Sequence, residues 1–396
     1  MVVRPWLNGV AAVAVLLMLG GCGSKTSGSA TSAGVVKKDF AIGWSIYTGW
    51  MPWAYAQQSG IVKKWADKYG IQIRLVQVND YVESVNQYAA GKLDGVVCTT
   101  MDALTIPAAG GKDTTVLLIG DYSDGNDGVV LKNGRMMADI KGRSVKLVEL
   151  SVSHFLLARG LELSGMKLAD VKTVNTGDAD IVGAFASPTV NAVVTWNPQL
   201  STIRATPGAT QVFDSSKIPN EILDTLNVST ATLKANPNLG KALAGIWYET
   251  MAIMTRDDAA GRAARATMAK AAGTTEASFD EQLKTTHLYA KAQDAVAYAE
   301  NPDLITVTDR VRQFSFAHGL FGPSAKSVDT IGITFAGGKT LGDTNNVKLR
   351  FDPSYMKLAA DGKLEPRGQD ETRDVGTAVP TKEAVRHLRA PNLGMR

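Results

Sequence analysis

Cysteine and histidine are scarce in this chain, which has two cysteines and four histidines among 396 residues. Because there is no cysteine pair and the histidines are scattered, we expect no metal centre and no bound cofactor. Cys98 lies in the apolar run 95–98, which is typical of a buried strand thiol. If Cys22 is lipidated, as its surroundings indicate, Cys98 has no partner and a disulfide is excluded.

A strong excess of one charge is also missing. The 42 Lys and Arg residues against 38 Asp and Glu leave a formal net charge of +4, which does not indicate a nucleic-acid partner. The apolar run at 10–19 is shorter than the roughly 20 residues that a membrane-spanning helix needs. We therefore expect neither nucleic-acid binding nor a membrane span from this run.

The signatures of several enzyme classes are absent as well. Residues 43–47 have Ser45 at the centre but lack the closing glycine of a nucleophile elbow. Residues 332–340 are one residue too long for a P-loop, and no H-E-x-x-H sequence occurs. Ser151, Ser153 and His154 could supply a nucleophile and a base at a helix start, but N-capping explains them better. The sequence therefore predicts a protein that is not an enzyme.

The first 34 residues have the pattern of an exported protein. Arg4 precedes the apolar run, and small residues lead from it into Cys22, as in a signal peptide with its cleavage site. Residues 23–34 are nearly all Gly, Ser, Thr, Ala and Lys, which is the composition of a flexible tether. Residues 19–22 resemble a bacterial lipobox, which implies cleavage before Cys22 and lipidation of its thiol. An ordinary secretory signal with an incidental cysteine is the alternative.

Two blocks of alternating strand and helix patterns follow. From 40 to 119 this alternation predicts a mostly parallel sheet with helices on its faces. A second, smaller α/β unit covers about 125–212, and helical patterns dominate from 220 onward. Chain crossings near 120–125 and 212–216 would form a two-stranded hinge.

Within the second block, several elements have clear limits. Helical patterns extend over 152–163 and 181–186, and strand patterns over 144–150 and 192–196. Ser151 or Ser153 would cap the first of these helices. These elements predict a second sheet whose strands end in polar residues.

We therefore predict an α/β protein with two lobes joined by a two-stranded hinge. The predicted segments are a signal peptide at 1–21, a tether at 22–37, a first lobe at 38–122 and 214–365, a second lobe at 123–213 and a polar tail at 366–396. Such a protein would lie on the extracytoplasmic side of the cell membrane, anchored by the lipid on Cys22.

Polar and aromatic residues gather where the predicted strands end, which is where ligands bind in open α/β sheets. The candidate ligand-binding residues are Trp44, Tyr47, Trp50, Trp53, Tyr81, Thr100, Asp102, Asp121, Glu149, Ser151, Ser153, His154, Asp178 and Trp196. Any one of these acids could cap a helix or lie on a solvated turn, and any one aromatic could belong to the core. Four aromatics at one strand end are too many for the core to bury together.

The charge of this set predicts the class of ligand. An anion site should contain Lys, Arg or bare helix N-termini, and the strand ends contain almost none of the basic residues. Carboxylates pair with amidinium-type N–H groups, and tryptophan faces accept cations. We expect a small planar ligand, with guanidinium ahead of urea and with Asp102 and Glu149 as its carboxylate clamp. Urea would also need a donor, such as Asn197 or a backbone N–H.

Several segments of the chain carry a family resemblance. These segments are 41–53, 79–84, 99–104, 149–154 and 194–198. With the lipobox and the tether, they resemble the solute-binding proteins of ABC importers of the nitrate/taurine/sulfonate (NitT/TauT-like) family. Within that family they are similar to a branch labelled as urea transport binding proteins, which is often linked with urea or guanidine catabolism.

The resemblance extends over about 38–365, and it implies a periplasmic-binding-protein type II fold. It also implies that the ligand lies between two closing lobes and that a permease and an ATPase are the partners. We expect the binding protein itself to be a monomer.

Three other functions stay open. The same fold could bind nitrate, sulfonate or taurine-type anions. Relatives with this fold make the thiamine pyrimidine, although that activity is cytosolic and conflicts with an exported N-terminus. A lipoprotein that presents its ligand to a sensor is the third.

Overall fold

The computed structural model describes residues 36–364. The predicted signal peptide, the predicted lipidation site Cys22, the predicted tether up to residue 35 and the predicted polar tail at 366–396 lie outside these residues. None of the helices between residues 36 and 364 combines the length and the apolar character that spanning a bilayer requires.

The first sheet is mixed, and its strands come from both ends of the described chain. They are β1 Asp39–Trp44, β2 Gln72–Gln77, β3 Gly95–Thr99, β4 Thr114–Ser123, β10 Leu223–Ser229, β11 Thr286–Leu288, β12 Gly332–Thr334, β13 Thr340–Leu341 and β14 Val347–Phe351. Their order is β13-β12-β14-β4-β10-β3-β1-β2, with β11 paired to β4. Strand β1 is parallel to β2 and β3, whereas β10 is antiparallel to both β3 and β4. The carboxyl ends of β1, β3 and β4 therefore share one edge with the start of β10.

The second sheet is built from one continuous segment. Its strands are β5 Asp127–Lys132, β6 Ser144–Leu147, β7 Lys172–Asn175, β8 Ala192–Trp196 and β9 Ala209–Asp214, in the order β7-β6-β8-β5-β9. The predicted strand at 192–196 is present with the same limits. The predicted strand at 144–150 ends three residues earlier, at Leu147. The predicted α/β fold class with two lobes is confirmed.

Helices cover the faces of both sheets. They are α1 Met51–Gln58, α2 Ile61–Lys68, α3 Tyr81–Ala89, α4 Thr100–Ala103, α5 Val152–Leu163, α6 Ile181–Ala186, α7 Gln199–Arg204, α8 Thr230–Ala235, α9 Asn238–Met254, α10 Ala259–Ala271, α11 Glu276–Leu283, α12 Ala292–Ala299, α13 Pro302–Ala317 and α14 Ser354–Ala360. The helices α5 and α6 have the predicted limits. Ser151 caps α5, because its Oγ accepts a hydrogen bond from the Ser153 N–H at 3.2 Å.

Helices dominate from residue 220 onward, as expected, but the sequence did not predict the strand β10 in this region. Its residues lie between β3 and β4 in the centre of the first sheet, and all except Ser229 are buried. Leu226 and Val228 alternate with polar residues, which is the strand period. Because the strand is short and its other residues are mostly polar, this alternation was too weak to predict a strand.

The chain crosses between the sheets at 124–126 and again at 215–222, close to the predicted hinge. The two crossings are in direct contact, with Ser123 Oγ and Ser215 Oγ 2.7 Å apart. The Gly125 N–H donates to Ser215 Oγ at 2.8 Å, and Ser123 Oγ donates to Asp127 Oδ2 at 2.6 Å. Both strands of the hinge are thus held together by side-chain hydroxyls.

The core of the second lobe includes residues from beyond 213. Ile218, Ile222 and Val311 belong to the same buried cluster as the apolar face of α5. The rings of Phe155 and Phe314 meet edge to face, with centroids 4.9 Å apart. Helix α13 therefore packs against the second lobe, although the strands that follow it join the first sheet.

Candidate functional site

Two small cavities meet at Trp50 and Asp224, beside the edge where β1, β3 and β4 end. The interlobe cavity is lined by Tyr47, Trp50, Tyr81, Thr99, Asp127, Val152, Trp196, Ile222 and Asp224. The inner cavity is lined by Trp50, Trp53, Val97, Leu118, Gly120, Asp121, Asp224, Thr225, Leu226 and Trp247. The accessible space in each cavity is about 10 Å³, roughly the room of one water molecule, so the side chains around them are closely packed.

Aromatic rings form the wall of the interlobe cavity. The ring of Trp50 lies between those of Tyr47 and Tyr81, at centroid distances of 5.0 and 5.5 Å. From the second lobe, Trp196 meets Tyr81 at 5.6 Å and an interplanar angle of 75°. All four side chains are buried. Such faces and edges suit a planar or cationic ligand.

A second aromatic pair closes the inner cavity. The rings of Trp53 and Trp247 lie 5.1 Å apart, and Trp247 comes from the long helix α9. Gly120 makes room for it, because a Cβ at that position would lie 3.1 Å from Trp247 Cζ2. The glycine in β4 therefore allows the indole to reach the strand end.

Asp121 and Asp224 form a pair of buried carboxyls in the first lobe. They lie directly opposite each other on the antiparallel strands β4 and β10, and their side chains are hydrogen-bonded to each other. The Tyr47 hydroxyl donates to Asp121 Oδ1 at 3.1 Å. Since an ionised carboxylate can only accept, the pair must share a proton and carries at most one negative charge.

Burial dominates the titration of this pair. It raises the pKa of Asp121 to about 7. Burial also raises the pKa of Asp224 well above its ordinary value, with a further contribution from the repulsion of Asp121 and Asp127. Both groups are therefore able to hold a proton near neutral pH.

Asp127 places a third carboxyl in the interlobe cavity, from the first residue of β5. It is 2% exposed, and it accepts a hydrogen bond from Ser123 Oγ in the hinge. Burial raises the pKa of Asp127 to about 7, although the hydrogen bond from Ser123 opposes the shift. This carboxyl therefore connects the hinge to the cavity.

Asp102 supports the cavity through Tyr81. Its Oδ2 accepts from the Tyr81 hydroxyl at 2.5 Å and from Thr99 Oγ1 at 2.8 Å, while Oδ1 is buried without a partner. Burial raises the pKa of Asp102 to about 6, and the two hydrogen bonds oppose the shift. Asp102 thus holds the Tyr81 phenol in place and does not itself line either cavity.

Two residues of the second lobe contact the first lobe beside the cavity. Asp178 Oδ1 accepts a hydrogen bond from the Tyr81 N–H at 3.4 Å, at the start of α3. Trp196 Nε1 donates to the Ile46 carbonyl at 3.3 Å. Burial raises the pKa of Asp178 to about 6. These contacts hold the two lobes together around the interlobe cavity.

The five buried carboxyls of this region are not paired with cations of the described residues. Within residues 36–364, no Lys, Arg or His nitrogen lies within 4.0 Å of Asp102, Asp121, Asp127, Asp178 or Asp224. Uncompensated buried charge is costly, so such a site favours a ligand that brings positive charge or N–H donors.

Other predicted residues line neither cavity. Trp44 ends β1 and is buried in the core of the first lobe. Thr100 is buried, and its Oγ1 donates to the Leu223 carbonyl at 3.4 Å. Ser151 caps α5, and Ser153 is buried in the first turn of that helix.

Glu149 and His154 also lie away from the cavities, which corrects the expectation of Glu149 as part of the clamp. Because β6 ends at Leu147, Glu149 lies in the following turn and is only partly buried. His154 Nδ1 accepts from the Leu150 N–H at 3.2 Å, and its ring faces His318 at 6.2 Å.

Four further residues line the cavities but were not predicted from the sequence: Thr99, Asp127, Asp224 and Trp247. Asp224 belongs to β10, which was not predicted, and Asp127 is the first residue of β5, where no strand end was predicted. Trp247 lies in an apolar helix that is typical of core. The signal that could have found Asp224 is the alternation of Leu226 and Val228 just after it.

Metal and thiol chemistry are not indicated in the described residues. Between residues 36 and 364, no group of three or more His, Cys, Asp and Glu side chains is arranged to hold a metal ion. Cys98 is buried and accepts a hydrogen bond from Asn227 Nδ2 at 3.3 Å. Burial raises the pKa of Cys98 well above its ordinary value, so the sulfur stays a thiol.

Comparison with known proteins gives a family and several relatives. The model of the NMT1-like family matches residues 34–271. A protein of Brucella abortus (strain 2308) that is named as a binding protein is 30% identical over 173 residues, which are 43% of this chain and 51% of that protein. The chain therefore spans about half the length of the curated relatives it matches.

Solved structures share the fold. The alkanesulfonate-binding protein SsuA from Xanthomonas axonopodis pv. citri, bound to MOPS, has a TM-score of 0.59 at 17% identity, over 72% of this chain and 94% of that chain. The periplasmic nitrate-binding protein NrtA from Synechocystis PCC 6803 has a TM-score of 0.53 at 14% identity, over 82% of this chain and 98% of that chain. At these identities the likeness shows a periplasmic-binding-protein fold and leaves the ligand open.

Proposed function

This chain belongs to the NMT1-like family, and we propose that it is the solute-binding protein of an ABC importer. It captures a small planar nitrogen-rich solute, guanidinium or urea, between a lobe of residues 38–122 and 214–365 and a lobe of residues 123–213. The protein acts as a monomer outside the cytoplasm, tethered by a lipid on Cys22. It delivers the solute to a permease driven by an ATPase.

The observation that carries this choice of ligand is the set of five buried carboxyls that have no basic partner among residues 36–364. Asp121, Asp127 and Asp224 line the two cavities, and Asp102 and Asp178 lie directly behind Tyr81. A ligand rich in N–H groups provides donors for these oxygens, and the rings of Trp50 and Trp196 cover its faces. An anion at the same place would be repelled by those of these carboxyls that are ionised.

Closure of the lobes would complete the site. The first lobe supplies Tyr47, Trp50 and the Asp121–Asp224 pair, whereas the second supplies Trp196 and the start of α5. Asp127 lies at the hinge, so a ligand that hydrogen-bonds to it favours the closed arrangement. Hinge closure of this kind is a common way for two-lobed proteins to capture solutes.

An anionic solute is the second candidate, and one local feature favours it. Val152 is the first residue of α5 and lines the interlobe cavity, so the positive end of that helix dipole points towards the site region. The helix end corresponds to about half a unit charge. Three carboxyls around the same cavities oppose it, which is why we rank the anion second.

A thermal-shift screen of the full-length chain tests both candidates. The panel contains urea, guanidinium at low millimolar concentration, acetamide, nitrate and taurine. A ligand at about 100 times its dissociation constant adds roughly 2.7 kcal/mol to the stability of the folded state. Stabilisation by urea, guanidinium or the amide supports the proposal, and stabilisation by nitrate or taurine alone overturns it.

A further inference from the structure

The backbone of Leu150 has a left-handed conformation, with a φ of 64°. Among the non-glycine residues that the structure describes, Asn133 and Asn220 share this feature, with φ values of 55° and 63°. Asparagine tolerates the left-handed region because its short polar side chain can hydrogen-bond locally, whereas a leucine there brings its Cβ close to the following carbonyl oxygen. The sequence therefore places an unfavourable residue at this turn.

Burial of the side chain does not compensate for this conformation. Leu150 is 56% exposed, and it belongs to none of the buried apolar clusters within residues 36–364. An exposed leucine alone is common on protein surfaces. An exposed leucine in a left-handed backbone is different, because glycine or asparagine would be more stable at the same position. Strained residues of this kind are concentrated at functional sites.

Acceptors on two other elements hold the turn at 148–151. The Leu150 N–H donates to His154 Nδ1 in α5 at 3.2 Å. The N–H of Glu149, one residue earlier, donates to Asn175 Oδ1 at the end of β7 at 3.0 Å. A hydrogen-bonded turn therefore presents the exposed leucine side chain.

The turn lies at the edge of the second sheet that contributes to the interlobe cavity. It follows the carboxyl end of β6, and Val152, two residues further on, lines that cavity. Trp196 ends the neighbouring parallel strand β8 and lines the same cavity. Asn133 follows β5, which is antiparallel to β8, so it lies at the opposite edge of the sheet. A partner that approaches the ligand-binding edge of the second lobe therefore meets Leu150 and not Asn133.

We propose that Leu150 is a docking residue whose side chain inserts into an apolar pocket on the membrane subunits of the importer. This inference rests on the proposed function, because it needs a permease that receives the solute. A residue beside the interlobe cavity moves with the second lobe when the lobes close, so the permease can recognise the closed arrangement through it. A side chain that is already positioned in the free protein loses little conformational entropy on docking. This advantage explains why the turn carries leucine although asparagine would be more stable.

An exchange of residues between the two turns tests this role. Leu150→Asn relieves the backbone, so the melting temperature of the full-length chain should rise by about 2 °C. Solute uptake by cells in which this variant replaces the chain should fall about fivefold or more, because the apolar contact is lost. Asn133→Leu is the matched control at the opposite edge, and it should lower the melting temperature by about 2 °C without changing uptake. Leu150→Met keeps an apolar side chain of similar volume and should keep the uptake of the unmodified chain.

The uptake panel contains labelled urea, guanidinium, acetamide, nitrate and taurine. Chain-dependent uptake that is equal in Leu150→Asn overturns the docking role and leaves the proposed function standing. A melting temperature of Leu150→Asn that does not rise also overturns it, because the leucine would then not be strained. If uptake of none of the five solutes depends on the chain, the proposed function falls and the docking role with it.

Two further measurements exclude other contacts of Leu150. Calorimetry with urea and with guanidinium at low millimolar concentration should give the same affinity for Leu150→Asn and the unmodified chain. A weaker affinity would assign the leucine to the ligand site. Light scattering should give the same mass for both proteins, and a dimer that Leu150→Asn dissociates would assign the leucine to a second copy of this chain. Either result overturns the docking role.

Discussion

Two groups of buried acids in this chain have opposite surroundings. Glu221 is 5% exposed and lies between two arginines, with Arg159 Nε 2.8 Å from its Oε2 and the Arg310 guanidinium on its Oε1. Asp121 and Asp224 are also buried, but their partners are each other and the Tyr47 hydroxyl. The first arrangement compensates the buried charge within the fold, whereas the second leaves it for a ligand.

The presence or absence of arginine partners distinguishes an acid that stabilises the fold from acids that are available to bind a ligand. Glu221 joins α5 and α13, because its two arginines come from these helices. The Asp121–Asp224 pair joins no separate elements beyond two strands that already pair through their backbones. Removing the acid should therefore damage stability in the first case and binding in the second. Each prediction below tests one side of that contrast.

The largest effect is expected for Asp224→Leu. The substitution removes both carboxylate oxygens from the two cavities at similar volume, and ligand affinity should fall a hundredfold or more, about 3 kcal/mol. The melting temperature of the ligand-free protein should stay the same or rise, because a costly buried acid is gone. Calorimetry and thermal unfolding measure the two quantities.

Glu149→Gln is the control for this variant, because Glu149 lies outside both cavities. The ligand affinity of Glu149→Gln should equal that of the unmodified protein. A large loss of melting temperature in Asp224→Leu would mean that the carboxyl pair is structural and would contradict the contrast.

The corresponding substitution at the other acid, Glu221→Leu, should lower stability and leave ligand affinity nearly unchanged. It leaves the largely buried Arg159 guanidinium with the exposed Glu162 as its remaining acidic partner, and the free energy of unfolding should fall by about 3 kcal/mol. Affinity for the ligand should change less than threefold. Thermal unfolding is the suitable measurement, since urea and guanidinium are themselves candidate ligands.

A second substitution checks the cause. Adding Arg159→Leu to Glu221→Leu removes the stranded charge, so part of the lost stability should return. No recovery in the double variant would assign the loss to packing instead of charge.

Helices and strands of the second lobe could be predicted from the sequence better than the residues of the candidate site. Helices α5 and α6 and strand β8 follow from local periodicity, which needs no knowledge of distant partners. Asp224 depends on β10, a short polar strand that pairs with residues more than 100 positions earlier in the chain. Such pairing leaves little local signal. Tyr47, Trp50 and Trp53, which line the cavities, could be proposed from the sequence because strand ends and aromatic density are local signals. Glu149 was predicted at a strand end, but β6 ends two residues before it, at Leu147.

A smaller effect is expected for Gly49→Ala. A Cβ at this position would lie 2.5 Å from Asp121 Oδ2, so the carboxyl must move away from its place beside Asp224. Overpacking of this kind costs about 1–2 kcal/mol, and ligand affinity should fall about tenfold. Gly183→Ala is the matched control, since nothing lies within 4 Å of its added Cβ. If both variants bind equally well, the position of Asp121 does not determine affinity.

The last prediction concerns the pH dependence of stability that arises from Asp127, the acid next to the hinge. Burial raises the pKa of Asp127 from 3.8 to about 7, so in this range the folded state holds a proton that the unfolded state has released. The stability that Asp127 contributes is therefore complete below pH 4 and is lost as the pH rises towards 7. An asparagine side chain does not titrate, so Asp127→Asn should gain stability relative to the unmodified protein by about 1 kcal/mol per pH unit between pH 5 and 7. Melting temperatures of both proteins at pH 5, 6, 7 and 8 measure this difference. If the difference in melting temperature between the two proteins stays constant from pH 5 to 8, Asp127 titrates like an exposed acid. The contrast between acids with and without a cationic partner would then not hold for Asp127.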